Sequence, residues 1–154
     1  MIAAPSAPPR TMTAAEAAVR VMESEGVELA FGIPGASILP LYDALRRSSI
    51  RHVVVRHEEG ATHAADGYAR ATGKVGIAIA TSGPGGTNFV TGLYTAQADS
   101  IPIITVTGQV PMSQLHREGF QAVDIAEIVK PVVKKSFLVK EAAQIPWVFR
   151  EAFR

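Results

Sequence analysis

Val75-Gly-Ile-Ala-Ile-Ala-Thr81, running straight into Ser82-Gly-Pro-Gly-Gly86, is the stretch whose reading decides the fold. The first half is apolar along its whole length rather than alternating, as expected of a central strand with both faces covered. The glycines and proline of the second half break it into a turn, and 87–98 then reads as a helix. Working backward, Gly73 sits where a helix would end, and 58–72 carries helical spacing with many alanines. The β-branched segment 51–55 precedes it as a strand. Before that, Leu39, Leu41, Tyr42 and Leu45 lie at helical spacing, with Ser37 as the N-cap candidate. A short strand, Leu29-Ala-Phe31, leads into Gly32-Ile-Pro-Gly35, and Thr13-Ala-Ala-Glu16 opens the first helix as a capping box.

Working forward from the turn, 101–107 predicts another buried strand and 109–121 a loop without clean periodicity. A short helix over 124–129, a short strand over 137–139 and a last helix over 141–154, with Pro146 in its first turns, complete the pattern. Strands alternating with helices predict an α/β fold: an open parallel sheet with helices on both faces. The chain stops inside its last helical segment, so the sheet is expected to lack its last strand.

Composition narrows the function classes. Hydrophobic residues make up 47% and charged residues 19% of the 154, which suits one globular domain with a real core. The formal charge is +1 and the Lys and Arg residues are scattered, which argues against nucleic acid and against an anionic membrane surface. The apolar runs are strand-sized, too short to span a bilayer as a helix. The absence of cysteine excludes disulfides, thiolate metal sites and a catalytic thiol, and fits a cytoplasmic protein. The proline-rich start reads as a disordered leader over 1–12, with Met12 an alternative beginning and the ordered domain covering 13–154.

In open α/β sheets, ligands bind at the carboxyl ends of the strands. There the sequence places Gly32-Ile-Pro-Gly35, Arg56-His-Glu-Glu59, Ser82-Gly-Pro-Gly-Gly-Thr-Asn88 and Gly108-Gln109. The run 82–88 has the glycines and the helix start of an anion cradle, against the plainer reading that it only turns a strand into a helix. It lacks the spacings of dinucleotide and P-loop motifs. Glu58 follows a strand and opens a helix, where a carboxylate ordinarily just favours the helix dipole. His57 and His63 have no companions at metal-ligand spacing and read as packing or surface residues. Asp66 reads as solvent-facing or as a cap for a neighbour.

Phe31-Gly-Ile-Pro-Gly-Ala36, Arg56-His-Glu-Glu-Gly-Ala61, His63-Ala-Ala-Asp-Gly-Tyr-Ala-Arg70, Thr81-Ser-Gly-Pro-Gly-Gly-Thr-Asn88 and Asp99-Ser-Ile-Pro-Ile103 through Thr107-Gly-Gln109 occur in order. Together they resemble the N-terminal, pyrimidine-binding domain of thiamine-diphosphate-dependent enzymes of the acetolactate synthase and glyoxylate carboligase group. The resemblance implies that Glu58 bonds the cofactor's aminopyrimidine at N1′ and favours the tautomer that activates the thiazolium carbon. It implies cofactor contacts from Ile33, Pro34 and Gly35, with Pro84 and Asn88 around the pyrimidine. Phe120 and Gln121 would lie on the substrate side, Gln121 reaching the reacting carbonyl. It further implies Mg2+ and FAD bound by domains that this chain does not contain, and a homo-oligomer, dimer or tetramer, in which a partner completes the site.

Within the group, Leu115-His-Arg-Glu-Gly-Phe-Gln-Ala-Val-Asp-Ile125 with Lys130-Pro131 resembles glyoxylate carboligase, whose substrate would be glyoxylate. Glu58 and Gly32-Ile-Pro-Gly-Ala-Ser-Ile-Leu-Pro40 lean instead toward acetolactate synthase, whose substrate would be pyruvate. The longer match, on the substrate side of the cleft, favours the first. Two readings of another kind stay open: a non-catalytic dimerisation module or inactive fragment, and a generic phosphate-binding domain working through 82–88.

Overall fold

The computed structural model describes residues 11–115, 117 and 119–154, and the sites discussed below lie within them. The leader expected over 1–12 falls almost wholly outside the described residues. Four parallel strands form one sheet: β1 (Leu29–Gly32), β2 (Arg51–Val54), β3 (Gly76–Ala80) and β4 (Ile103–Thr107), in the order β2-β1-β3-β4. Every residue of β3 is buried, as its uninterrupted apolar sequence predicts.

The helices cover both faces. On one, α1 (Ala14–Ser24), α2 (Leu39–Arg46) and α7 (Ile145–Ala152) enclose Val19, Met22, Leu41, Leu45, Ile77, Ile79 and Phe149. On the other, α3 (Glu58–Thr72), α5 (Val90–Ala98) and the short α6 (Ile125–Ile128) pack Ala61, Ala65, Ala78, Ala80, Phe89 and Leu93. The period-2 alternation of β3 divides these two cores, with Ile77 and Ile79 on one side and Ala78 and Ala80 on the other. Both halves of the Thr13–Glu16 capping box are present, and Gly73 ends α3 with φ +71°, a conformation that glycine adopts without steric cost.

Several details differ from the sequence reading. The helix expected over 87–98 is two pieces, α4 (Pro84–Thr87) and α5, because Pro84 suits a first helical turn and starts it early. Ser37 caps nothing; it lies in the 3-10 turn before α2, and its hydroxyl is taken by Thr81 and Ser82. Asp66 is buried and accepts two hydrogen bonds from Arg70, which also reaches Asp99. Finally, 137–139 pairs with no strand, and β4 is only half-buried throughout. A cleft of about 1090 Å³, lined by Ile104, Val106, Val133, Phe137 and Phe149 among others, lies beside β4, which is the edge strand of the sheet.

Candidate functional site

The sheet order puts β1 and β3 side by side while the chain leaves β1 toward β2 and leaves β3 toward β4. A crevice therefore opens between the loops that follow β1 and β3, and such reversal points are where open α/β sheets bind ligands. Gly32 at the end of β1 is packed so closely that a Cβ there would overlap the carbonyl oxygen of Ile79. A Cβ on Gly35 would come within 2.5 Å of Thr81 Cβ. The two loops are held together by hydroxyls: Ser82 N donates to Ser37 Oγ at 3.0 Å, and Ser37 Oγ lies 2.8 Å from Thr81 Oγ1. Ile33 N donates to Ile79 O, which seats Ile33 half-buried while Pro34 stays exposed.

Glu58 is the first residue of α3, and His57 before it is the N-cap, its Nδ1 accepting from Glu59 N at 3.2 Å. This explains why Glu58 projects from a helix start without capping it. Its partner is Asn88, at the end of α4, whose amide donates to Glu58 Oε2 at 2.9 Å. Glu58 Oε1 has no hydrogen bond among the described residues and faces Gly85, where an added Cβ would lie 3.5 Å away. One carboxylate oxygen is thus fixed and the other open above a glycine-lined surface. This arrangement can accept a hydrogen bond from, or share a proton with, a ring nitrogen.

Gln121 is brought to the same place by backbone strain. Its φ is +59°, uncommon for a residue with a side chain, and its Cβ would lie 2.7 Å from a Cβ at Gly83, itself at φ +61°. Gln109 secures this loop by donating to Val123 O at 2.9 Å. Phe120 is 86% exposed and projects beside it. Pro84 is exposed next to Gly83. Glu58, Asn88, Pro84 and Gln121, together with Gly35, therefore lie around the crevice at one end of the sheet.

The amides of Gly86 and Thr87 donate to Gly83 O, and that of Asn88 to Pro84 O, so they are spent within the turn. Among the described residues no group of three His, Asp or Glu side chains could hold a metal. His63 instead lies 3.5 Å from Glu59 on the surface of α3. No helix among the described residues is long and apolar enough to cross a membrane.

Sequence reasoning missed Tyr42 and His52. The Tyr42 hydroxyl lies 3.1 Å from His52 Nε2 and 3.5 Å from Ile79 O, and the two rings meet edge to face at 4.7 Å. Burial, and secondarily the charge of Glu58, raises the Tyr42 pKa, while burial lowers that of His52, so both are neutral near pH 7. Tyr42 shows only as one member of an apolar helix face. Its meeting with His52 depends on the register of β2 against β1, which no local pattern reveals.

Residues 12–128 match the family model of the thiamine pyrophosphate enzyme, N-terminal TPP binding domain. The chain is 54% identical to a glyoxylate carboligase of Escherichia coli O157:H7 over 92% of its own length and 24% of the relative's. It is 51% identical to a probable acetolactate synthase large subunit of Methanococcus aeolicus, again over 92% and 24% of the two chains. An acetolactate synthase of Arthrospira platensis is 51% identical over 94% of this chain and 26% of that one. The chain spans about a quarter of the length of these curated relatives.

Proposed function

Since this chain belongs to the family of N-terminal TPP-binding domains of thiamine pyrophosphate enzymes, we propose that it forms the aminopyrimidine side of a thiamine diphosphate site in a carboligase of 2-oxo acids. The observation that carries the proposal is the Glu58–Asn88 arrangement, with Oε2 held at 2.9 Å and Oε1 left open in the crevice. The fit to the pyrimidine is chemical: an acidic oxygen without a partner, beside glycines whose missing side chains leave room for a flat ring.

When bound, thiamine diphosphate supplies a nucleophilic carbon that adds to a 2-oxo acid, lets carbon dioxide leave and joins the remainder to a second carbonyl compound. The protein residues do the rest. Glu58 holds and returns a proton at Oε1, and Asn88 keeps its carboxyl from rotating away. Gly35 offers its carbonyl to the exocyclic amine, with Ile33 and Pro34 forming the wall behind it. Pro84 flanks the ring. Gln121, held in a strained conformation, directs its amide toward the substrate carbonyl, and Phe120 closes the substrate side.

The diphosphate, Mg2+ and FAD are assigned in this proposal to domains outside these 154 residues, and the facing half of the site to a partner subunit. The domain assignment is the pyrimidine-binding domain over 13–154. We take glyoxylate as the substrate, on the strength of the 112–131 segment. Pyruvate is the second reading, which Glu58 itself favours. Carbon dioxide release by the full-length protein from glyoxylate against pyruvate separates them, and turnover of pyruvate alone would reject the first. Glu58→Gln in that protein should slow exchange of the cofactor's C2 proton by at least about a hundredfold, because an amide cannot take up the ring proton. An unchanged exchange rate would remove Glu58 from the chemistry. Activity from the 154-residue chain alone would refute the half-site assignment.

A further inference from the structure

Tyr42 packs against three strands at once. Its hydroxyl contacts β2 through His52 Nε2 at 3.1 Å and β3 through Ile79 O at 3.5 Å. A Cβ on Gly32 would lie 2.7 Å from the same hydroxyl, so β1 passes directly against it. Both chain exits that build the candidate site start from this point. Ile33 N donates to Ile79 O as the chain leaves for Gly35, and Val55 N donates to Gly32 O as it leaves for Glu58, each at 3.2 Å.

A phenol has one proton to donate, and the shorter contact is to His52. Because the Ile79 carbonyl can only accept, both contacts are met when the Tyr42 hydroxyl donates to Ile79 O and accepts from His52 Nε2–H; donation to an unprotonated Nε2 meets the shorter contact alone. Tyr42 comes from α2 and His52 from β2, so the bond between them crosses the sheet edge and ties α2 to the strand from which Glu58 emerges. Among the described residues neither makes a hydrogen bond to Glu58, although the Glu58 charge reaches Tyr42.

We infer that Tyr42 and His52 are a positioning pair that sets the distance between Gly35 and Glu58 across the crevice. The inference rests on the thiamine diphosphate reading given above. A ligand clamped between a loop carbonyl and a carboxylate depends on their spacing, and shifts well under an ångström weaken both contacts at once. The pair acts at a distance, through the ends of β1 and β2.

The test uses the full-length protein with Mg2+ and thiamine diphosphate. Cofactor affinity, exchange of the C2 proton at saturating cofactor and the melting temperature are measured for Tyr42→Phe, His52→Leu and His52→Gln, beside Glu58→Gln. Tyr42→Phe keeps the ring and its packing, so it should fold. It should bind cofactor about fivefold more weakly, the fold-change of one net hydrogen bond, and exchange should slow further at saturation. His52→Leu should match it, and His52→Gln, which restores a hydrogen-bonding partner, should recover most of both losses. A lowered melting temperature with wild-type affinity and exchange would overturn the inference, leaving the pair as structural support. If Glu58→Gln slows exchange while Tyr42→Phe changes neither affinity nor exchange, the positioning role alone falls. If Glu58→Gln changes nothing, the underlying reading falls with it.

Discussion

Asn88→Asp would place a second carboxylate where the amide of Asn88 now donates to Glu58 Oε2 at 2.9 Å. Two unit charges at that separation repel by about 6 kcal/mol at an effective dielectric of about 20. Both side chains are half-buried, so solvent screens them. Screening to a dielectric of about 40 and relaxation to about 4 Å leave about 2 kcal/mol. The lost amide donor adds about 1 kcal/mol, which Asn88→Ala measures by itself. The repulsive part then carries a pH signature. The crowded pair retains one proton in the folded state at a pH where the unfolded chain's carboxyls, titrating near 4, have lost theirs. The folded variant binds more protons than the unfolded one, so its stability rises as pH falls. Urea unfolding at several pH values should show Asn88→Asp about 2 kcal/mol less stable than Asn88→Ala at pH 7, the gap closing between about pH 6 and pH 4. Equal stability of the two variants at pH 7, or a gap that widens on acidification, would refute the reasoning and with it the Glu58–Asn88 contact.

Two glycine substitutions should move stability in opposite directions. Gly67→Ala, on α3 with nothing within 4 Å of the added methyl, should stabilise this chain by about 0.5–1 kcal/mol in the same urea assay. Gly76→Ala would drive its methyl into the Ala65 carbonyl, which is backbone and cannot swing away, and should cost at least about 2 kcal/mol. Burial lowers the His52 pKa from 6.5, so the unfolded chain binds more protons between the folded value and 6.5. Stability should therefore be fully present above about pH 6.5 and decline as pH falls below it. His52→Gln should flatten that decline, and an imidazole resonance titrating at the unperturbed value would contradict it.

Much of the site was readable because its residues belong to strand-ending motifs. Once β1, β2 and β3 are recognised, Gly35, Glu58 and Pro84 must lie at their carboxyl ends, whatever the order of the strands. Asn88 and Gln121 are different. Asn88 reaches Glu58 only because α4 is a single turn, ended before α5 begins, and Gln121 arrives through a left-handed backbone on a loop without periodicity. The family resemblance pointed to both, but the residue pattern did not. Ser37 and Asp66 were misread for a shared reason. Each has a local role open to it at its position in the chain, and each is taken instead by a partner that folding brings close: Thr81 and Ser82 for one, Arg70 with Asp99 behind it for the other.

By itself the sequence determined the two-sided burial of β3, the capping box of α1, the extent of α3 with its Gly73 end, and the position of Glu58 at a strand-to-helix junction. These follow from periodicity, from capping chemistry and from glycine's access to positive φ, all of which act over a few residues. The tertiary structure decided which oxygen of Glu58 is bound and which is open, the strain at Gln121, and the meeting of Tyr42, His52, Gly32 and Ile79. It also decided that 137–139 pairs with no strand, leaving β4 as the edge of the sheet. Local chemistry chooses elements, and the order and register of the sheet choose partners.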